Sequence, residues 1–270
     1  RDLHLSLRRQ RQMCIRDRTL LGCGVAASVA ASFNAPIAGV FFALEVIIGH
    51  YALSAFAPVV ISSVAATVIC RAHLGELPAF LLPQFGINSL WEFPAFMVLG
   101  AVCAIIATIF MWSIFYAERV VDSVPIPNWL KPAAGGLAVG AIAVEFPHVL
   151  GVGYETTDAA LQELLPLWLL MLLIPLKAAA TAISLGCRFG GGIFSPSLCL
   201  GAMTGGAFGI IAASVFPHLA ASHGAYAIVG MSALAAATLG APISTILIVF
   251  ELTGDYQITV AVMIATSIAT

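Results

Sequence analysis

The chain has 270 residues, of which 61% are hydrophobic and only 9% are charged. Soluble domains carry about 25% charged residues, so this composition excludes a soluble globular protein and indicates an integral membrane protein. The formal net charge of −2 excludes a broad basic surface for nucleic acid. Cysteines and histidines are scattered without metal-ligand spacing. We expect a multi-pass protein of the plasma membrane or a bacterial inner membrane, with the lipid bilayer as its surroundings and with no metal or cofactor.

The first 18 residues form a basic arm that differs from the rest of the chain. They hold six of the eleven basic residues and two aspartates. No apolar core follows these charges, so the arm is not a secretory signal peptide. Two origins of the arm remain open: it is a cytoplasmic juxtamembrane segment, or it is an artefact of cloning or sequence assembly. We therefore leave residues 1–18 out of the fold prediction and treat residues 19–270 as one transmembrane domain.

The remaining chain divides into long and short apolar segments. A spanning helix needs about 20 apolar residues, and four segments have this length; they cover residues 51–70, 93–116, 164–185 and 193–216. Five others are shorter or interrupted by glycine and proline, at residues 19–33, 36–45, 225–239, 242–251 and from 256 onward. The pattern predicts an all-α fold of nine to eleven short, tilted and broken helices, as in transporters and channels.

Two of the short segments repeat each other. Residues 24–45 align without gaps on residues 230–251, and both copies share Ala-Pro-Ile followed by a glutamate nine residues after the proline. Each copy predicts an alanine-rich helix, a tight break at Asn34 or Gly240, and a short helix with proline in its first turn. We interpret the repeat as an inverted structural duplication, and its placement near the two ends predicts that most of the first half is missing.

The repeated glutamates, Glu45 and Glu251, end their short helices. A carboxylate at a helix C-terminus opposes the helix dipole, so each glutamate needs a partner. For Glu251 the backbone donors of residues 252–257 are close in sequence. A glutamate that caps and anchors a helix and a glutamate that takes part in ion movement both remain open.

The segment at residues 186–209 is the most informative one. Gly190, Gly191 and Gly192 precede a long apolar helix, and the first N–H groups of a helix have no internal partner. Inside a membrane cavity such amides offer partial positive charge to a small anion that must bind and then leave. The alternative is that the three glycines only permit a loop.

Further glycines recur at helical spacing. Gly201, Gly205 and Gly209 lie four residues apart, as do Gly136 and Gly140, and this spacing predicts faces for close helix packing. The segment also contains Ser195 and Ser197, which an intramembrane hydrolase could use as nucleophiles. Such an enzyme needs a base beside the serine. The nearest histidines in sequence, His218 and His223, would lie roughly 30 Å away along the helix, so we expect no enzyme.

These segments resemble the ClC family of chloride channels and chloride/proton antiporters from Thr19 to the C-terminus. Residues 190–209 are similar to its selectivity-filter helix, which carries a G-[IV]-F-x-P motif, and both copies of the repeat are similar to its corresponding stretches.

The resemblance implies an all-helical inverted-repeat homodimer with an ion path in each subunit. It also implies that the N–H groups of Ile193 and Phe194 contact the central anion, and that residues 35–45 and 242–251, with the helices following them, build the dimer interface. The implied anion-binding residues are Gly191, Gly192, Ile193, Phe194, Ser195 and Pro196.

The chain also departs from the family pattern. A G-S-G-x-P loop and a G-[RK]-E-G-P loop with the gating glutamate should precede Thr19, and a filter tyrosine should follow Thr270. We therefore expect a fragment, truncated at both ends. Antiporters of the family often carry a second acidic residue where this chain has Val46, so the resemblance favours passive or gated chloride transport. A chloride/proton antiporter and a non-conducting fragment remain alternatives. Arg188 would add positive potential at a pore entrance, or would only reach toward water.

Overall fold

The structure is a computed structural model that describes residues 2–75, 80, 92–125, 127–215 and 222–270, with the backbone alone for residues 2–15. A π-helical turn covers Ala43–Ile48, and a 3-10 turn covers Pro147–Val149. The described residues contain no strand, which confirms the all-α prediction. The α-helices in these residues are α1 (Asp2–Phe33), α2 (Pro36–Phe42), α3 (Leu53–Leu74), α4 (Phe93–Ser123), α5 (Lys131–Glu145), α6 (Tyr154–Leu161), α7 (Leu167–Gly186), α8 (Phe194–Val215), α9 (His223–Leu239), α10 (Pro242–Thr253) and α11 (Tyr256–Ala269).

Four helices are long and apolar enough to cross a membrane, namely α3, α4, α7 and α8. They correspond to the four predicted spans. The predicted segment 19–33 forms the C-terminal part of the 32-residue helix α1, and the other predicted segments form the shorter helices α2, α9, α10 and α11. Helix α1 begins at Asp2, so the backbone of the basic arm continues directly into the first apolar helix. This continuity leaves the origin of residues 1–18 open, and their separation from the transmembrane domain stays a prediction.

Among the described residues, one compact unit contains residues 2–75 and 243–254. Its core consists of small and branched apolar side chains of α1, α2 and α3, including Ala26, Val40 and Val59. Asn34 makes the predicted break between α1 and α2 with a left-handed φ of 54°, and its side-chain oxygen accepts a 2.7 Å hydrogen bond from Arg71 Nε. An asparagine tolerates this backbone conformation better than most residues, which explains its place at the break.

Among the described residues, the second unit lies within residues 80–242 and 255–270, and its most extensive helix contact joins α8 to α9. A Cβ atom added at Gly230 would lie 2.6 Å from the Gly201 carbonyl oxygen, and one added at Gly205 would overlap the Tyr226 carbonyl. The two backbones therefore touch, as the four-residue spacing in α8 predicted. The same prediction is wrong for Gly140, since an added Cβ there would meet no atom of the described chain within 4 Å.

We predict that Gly205→Ala destabilises the protein while Gly140→Ala does not. The methyl group at position 205 forces α8 and α9 apart, which costs on the order of 1–3 kcal/mol in the free energy of unfolding. The methyl group at position 140 enters open space and adds about 1 kcal/mol of helix propensity. Denaturation in detergent measures both variants, and equal stability of the two would contradict the packing described for α8 and α9.

Candidate anion-binding site

The glycine segment lies between two membrane-length helices. Helix α7 ends at Gly186, Arg188 turns the chain with a left-handed φ of 64°, and α8 begins only at Phe194. Within the described part of the chain, the amides of residues 190–193 donate no hydrogen bond. Gly190, Gly191 and Gly192 are exposed and Ile193 is half-buried, so these amides are accessible to water or to a small ligand.

The three glycines form part of the wall of a cleft with a volume of about 180 Å³. The rest of the wall comes from α5, from residues 149–151, from one face of α7, and from Phe189 and Pro196. A Cβ atom added at any of the three glycines would meet nothing within 4 Å in the described structure. The missing side chains thus leave the loop backbone uncovered on the cleft side, as the anion-binding interpretation requires.

The first turn of α8 orders the residues that follow the glycines. Ser197 donates its backbone N–H to the Ile193 carbonyl at 3.0 Å and its hydroxyl to the Phe194 carbonyl at 2.6 Å. Gly191, Gly192 and Pro196 line the cleft, whereas Ile193, Phe194 and Ser195 are half-buried beside it. The six predicted anion-binding residues are thus contiguous, but the binding role assigned to them remains a prediction.

The serines show no sign of activation by a histidine. The buried Ser197 hydroxyl is bonded to its own helix. His223 lies 3.8 Å from the Glu163 carboxylate, and His218 lies outside the described residues. A base beside a serine nucleophile, which a hydrolase requires, is therefore not seen in the described structure.

A buried lysine, Lys177, also lines the cleft, and the sequence analysis did not single it out. It lies near the middle of α7, is 3% exposed, and donates to the carbonyl oxygens of Val149 at 2.9 Å and Gly151 at 3.0 Å. A cation within an apolar span is costly and usually marks function, and this signal was present in the sequence. Among the described residues that line the cleft, Lys177 is the one that carries a formal charge.

Arg188, the predicted entrance residue, makes an ion pair. Its guanidinium donates to Asp122 at 3.1 Å, and the same carboxylate oxygen accepts from the buried Lys131 at 3.0 Å. The Arg188 side chain is 54% exposed, so it reaches outward as well as pairing. Asp122 neutralises part of its charge, and any contribution of Arg188 to a pore entrance stays a prediction.

Glu251 binds the N-terminus of the other short helix of the repeat. Its carboxylate accepts from the backbone N–H groups of Ile37 at 3.0 Å and Ala38 at 2.7 Å, in the first turn of α2. The prediction that Glu251 pairs with the backbone donors of residues 252–257 is therefore wrong. Residues 36–38 are distant from Glu251 in sequence and come within hydrogen-bond distance of it only when the two copies of the repeat pack together. The local sequence therefore could not reveal these partners.

Glu45 makes the matching contact in the same compact unit. It accepts from the N–H groups of Ile243 at 3.2 Å and Ser244 at 2.8 Å, and the Ser244 hydroxyl donates to the same carboxylate. Each glutamate thus neutralises the positive end of the other short helix, where a negative charge is favourable. This geometry favours the capping interpretation, while a direct part in ion movement stays untested. Val46, the next residue, lies in the π-helical turn and is 36% exposed.

Comparison with known proteins places the chain in a family. The model of the voltage-gated chloride channel family matches residues 5–270, so the chain belongs to that family. A ClcB-like protein of Ralstonia nicotianae is 34% identical over 92% of this chain and 58% of its own length. The H+/Cl− exchange transporter ClcA of Vibrio cholerae is 32% identical over 91% of this chain and 54% of its own length.

A solved structure shows the same fold. The crystal structure of a slow cyanobacterial Cl−/H+ antiporter superimposes with a TM-score of 0.81 at 26% identity, covering 93% of this chain and 60% of that one. The chain is thus a multi-pass membrane protein, as predicted. It spans little more than half the length of these relatives.

We predict that Glu251→Ala lowers the free energy of unfolding by about 1–2 kcal/mol, as the loss of a helix cap does. The change leaves the N–H groups of Ile37 and Ala38 without the carboxylate that they bind. Glu145→Ala is the matched control, because Glu145 ends the apolar helix α5 and is exposed. Denaturation in detergent compares the two variants, and equal losses would refute the reciprocal capping.

Proposed function

We propose that the complete protein to which this chain belongs moves chloride, or a similar small anion, across a membrane through a filter of backbone amides. One observation carries the proposal: the amides of residues 190–193 have no hydrogen-bond partner in the described structure and adjoin an open cleft. Membership of the voltage-gated chloride channel family supports the same substrate class.

Backbone amides suit an ion that must pass through. Each N–H group carries only a partial charge, so several together can replace the hydration shell of a halide without holding it permanently. The N-terminal end of α8 adds the favourable field of a helix dipole. A direct contact with a lysine in the same place would bind more tightly and slow release.

We further propose a homodimer in which each protomer has its own ion path. The short helices α2 and α10, with α3 and α11, would form the interface. Apolar side chains exposed on the two short helices support this placement, since Ile37 is 51% and Ile243 is 44% exposed. Exposed apolar side chains of a membrane helix can also face lipid rather than a second protomer. The oligomeric state of the complete protein in detergent therefore tests this part directly.

Passive or gated transport is the preferred mode, and exchange with protons is the second candidate. Val46 supports the passive mode, because a valine cannot carry a proton where antiporters of the family often have an acid. The names of two similar proteins, ClcA and the cyanobacterial antiporter, support the exchange mode. The difference lies in whether proton movement is coupled to the anion.

We predict that Gly192→Leu in the complete protein reduces chloride efflux from liposomes at least tenfold. The structure leaves room for a side chain at this position, so the variant folds, but the leucine covers the amides and fills part of the cleft. Gly140→Leu is the control, because its side chain also enters open space but lies outside the residues that line the cleft. Equal efflux by the two variants would place the ion elsewhere.

We also predict that a chloride gradient drives no uphill proton movement by the complete protein. Proton uptake into liposomes, followed with a pH-sensitive dye while chloride flows out, measures this coupling. Proton accumulation against its gradient would rule out the passive mode and establish exchange, while leaving anion transport itself intact.

A further inference from the structure

A second cleft, almost entirely apolar, lies beside the start of the glycine loop. Its volume is about 200 Å³, and its wall contains Val121 from the end of α4, Ala134 and Ala138 from α5, Ile183 from α7, and Cys187, the residue after α7. An apolar cavity of about 150 Å³ holds a benzene molecule, so this cleft has room for a short stretch of hydrocarbon chain.

A cluster of three charged side chains lies at the edge of this apolar cleft. Lys131 lines the cleft, and its ammonium group shares one carboxylate oxygen of Asp122 with the guanidinium group of Arg188. The cluster therefore has two positive charges and one negative charge. Glu118 and Arg119, on the preceding turn of α4, add one charge of each sign. The excess positive charge favours an anionic partner, and the half-exposed Arg188 is accessible to it.

The length of α4 and its aromatic residues indicate the depth of the cleft in the bilayer. The 31 residues of α4 extend about 46 Å, whereas the hydrocarbon core is about 30 Å thick. Trp112 and Tyr116 are exposed and stack with their ring centroids 5.6 Å apart, and such residues concentrate at the membrane–water interface. The distance from Phe93 to Trp112 is roughly 30 Å along the helix. The last turns of α4, with Val121 and Asp122, therefore lie at the level of the lipid head groups.

We propose that the apolar cleft binds one anionic phospholipid of the surrounding bilayer, with part of an acyl chain between α4, α5 and α7 and the phosphate against Arg188. Basic pockets between membrane helices are known to bind anionic head groups. The apolar wall and the excess positive charge match the two parts of such a lipid. A zwitterionic lipid would bring another cation to the cluster, and a free phosphate ion would leave the apolar wall uncovered.

The lipid would contact the residues from which the glycine loop starts. A Cβ atom added at Gly135 of α5 would lie 2.6 Å from Cys187 Cβ and 3.2 Å from the ring of Phe189, so α5 packs closely against both residues. Cys187 lines the apolar cleft, and Phe189 lines the cleft beside the three glycines. A lipid in the apolar cleft thus holds the upstream end of the loop against α5 and keeps the amides in place for the anion. This effect on the loop rests on the proposed anion transport, whereas the binding of the lipid does not.

Thermal unfolding of the complete protein in detergent tests the binding of the lipid without any flux measurement. Phosphatidylglycerol at about five times its dissociation constant should raise the unfolding midpoint by about 2–4 °C, because a ligand of the folded state stabilises it. Phosphatidylcholine with the same acyl chains and inorganic phosphate at the same concentration should raise the midpoint much less. An equal shift with phosphatidylcholine would show that the charge is not recognised, and an equal shift with phosphate would show that no acyl chain is needed. Either result would overturn the proposal.

Two variants locate the bound lipid. Arg188→Gln removes the excess positive charge, and Ala138→Leu fills part of the apolar cleft without changing any charge. Both should lose most of the midpoint shift that phosphatidylglycerol causes. The matched controls are Arg119→Gln, at an exposed arginine outside the charged cluster, and Ala133→Leu, at an exposed position of α5 that does not line the cleft. Both controls should keep the shift, and equal shifts in all four variants would refute the site.

Chloride efflux from liposomes tests the effect of the lipid on the glycine loop. Adding phosphatidylglycerol to phosphatidylcholine liposomes should raise efflux by the unmodified protein and both controls roughly fivefold, at the lower end of typical coupling between two sites. Arg188→Gln and Ala138→Leu should show no such increase. An equal increase in all five proteins would contradict the effect on the loop, because it would reflect the bulk bilayer. If the unmodified protein carries no chloride in either lipid, the proposed function fails, while the unfolding measurement still decides whether the lipid binds.

Discussion

The need to satisfy backbone polar groups in lipid governs this structure. Helices satisfy most of them internally, and their ends require other partners. In the repeat, glutamates are the partners of two helix N-termini: Glu45 accepts from the first turn of α10, and Glu251 accepts from the first turn of α2. The amides of residues 190–193 have no such partner in the described chain. We propose that fixed carboxylates close the structural helix ends and that a diffusing anion occupies the open one.

Glycine contributes to this arrangement in two separate ways. In α8, Gly201 and Gly205 remove side chains so that the backbone of α9 can pack directly against them. In the loop before α8, Gly190, Gly191 and Gly192 remove side chains so that nothing covers the amides. The glycines in α8 allow close helix packing, whereas the glycines in the loop leave the backbone amides accessible. The distinction depends on what faces each glycine, which is why spacing alone misjudged Gly140.

Local patterns in the sequence were sufficient to predict much of the fold. Hydropathy placed the four long helices, with α4 beginning at Phe93 as expected, and Asn34 and Gly240 marked breaks that do adopt positive φ. Two features escaped because they depend on contacts between distant residues. The partners of Glu251 lie 214 and 213 residues away, at Ile37 and Ala38. Lys177 was visible as a lone cation in an apolar run, but its hydrogen bonds to the carbonyls of Val149 and Gly151 join residues 28 and 26 positions apart.

The central claim is that uncovered amides before α8 bind the anion. A structure of the complete protein with bromide in place of chloride tests it most directly, because bromide gives an anomalous signal that locates the ion. The account predicts a bromide peak within about 3.5 Å of the amide nitrogens around Ile193, a distance typical of a hydrogen bond to a large halide. Amides of residues 190–193 bonded to protein, with the bromide peak in another part of the molecule, would contradict it.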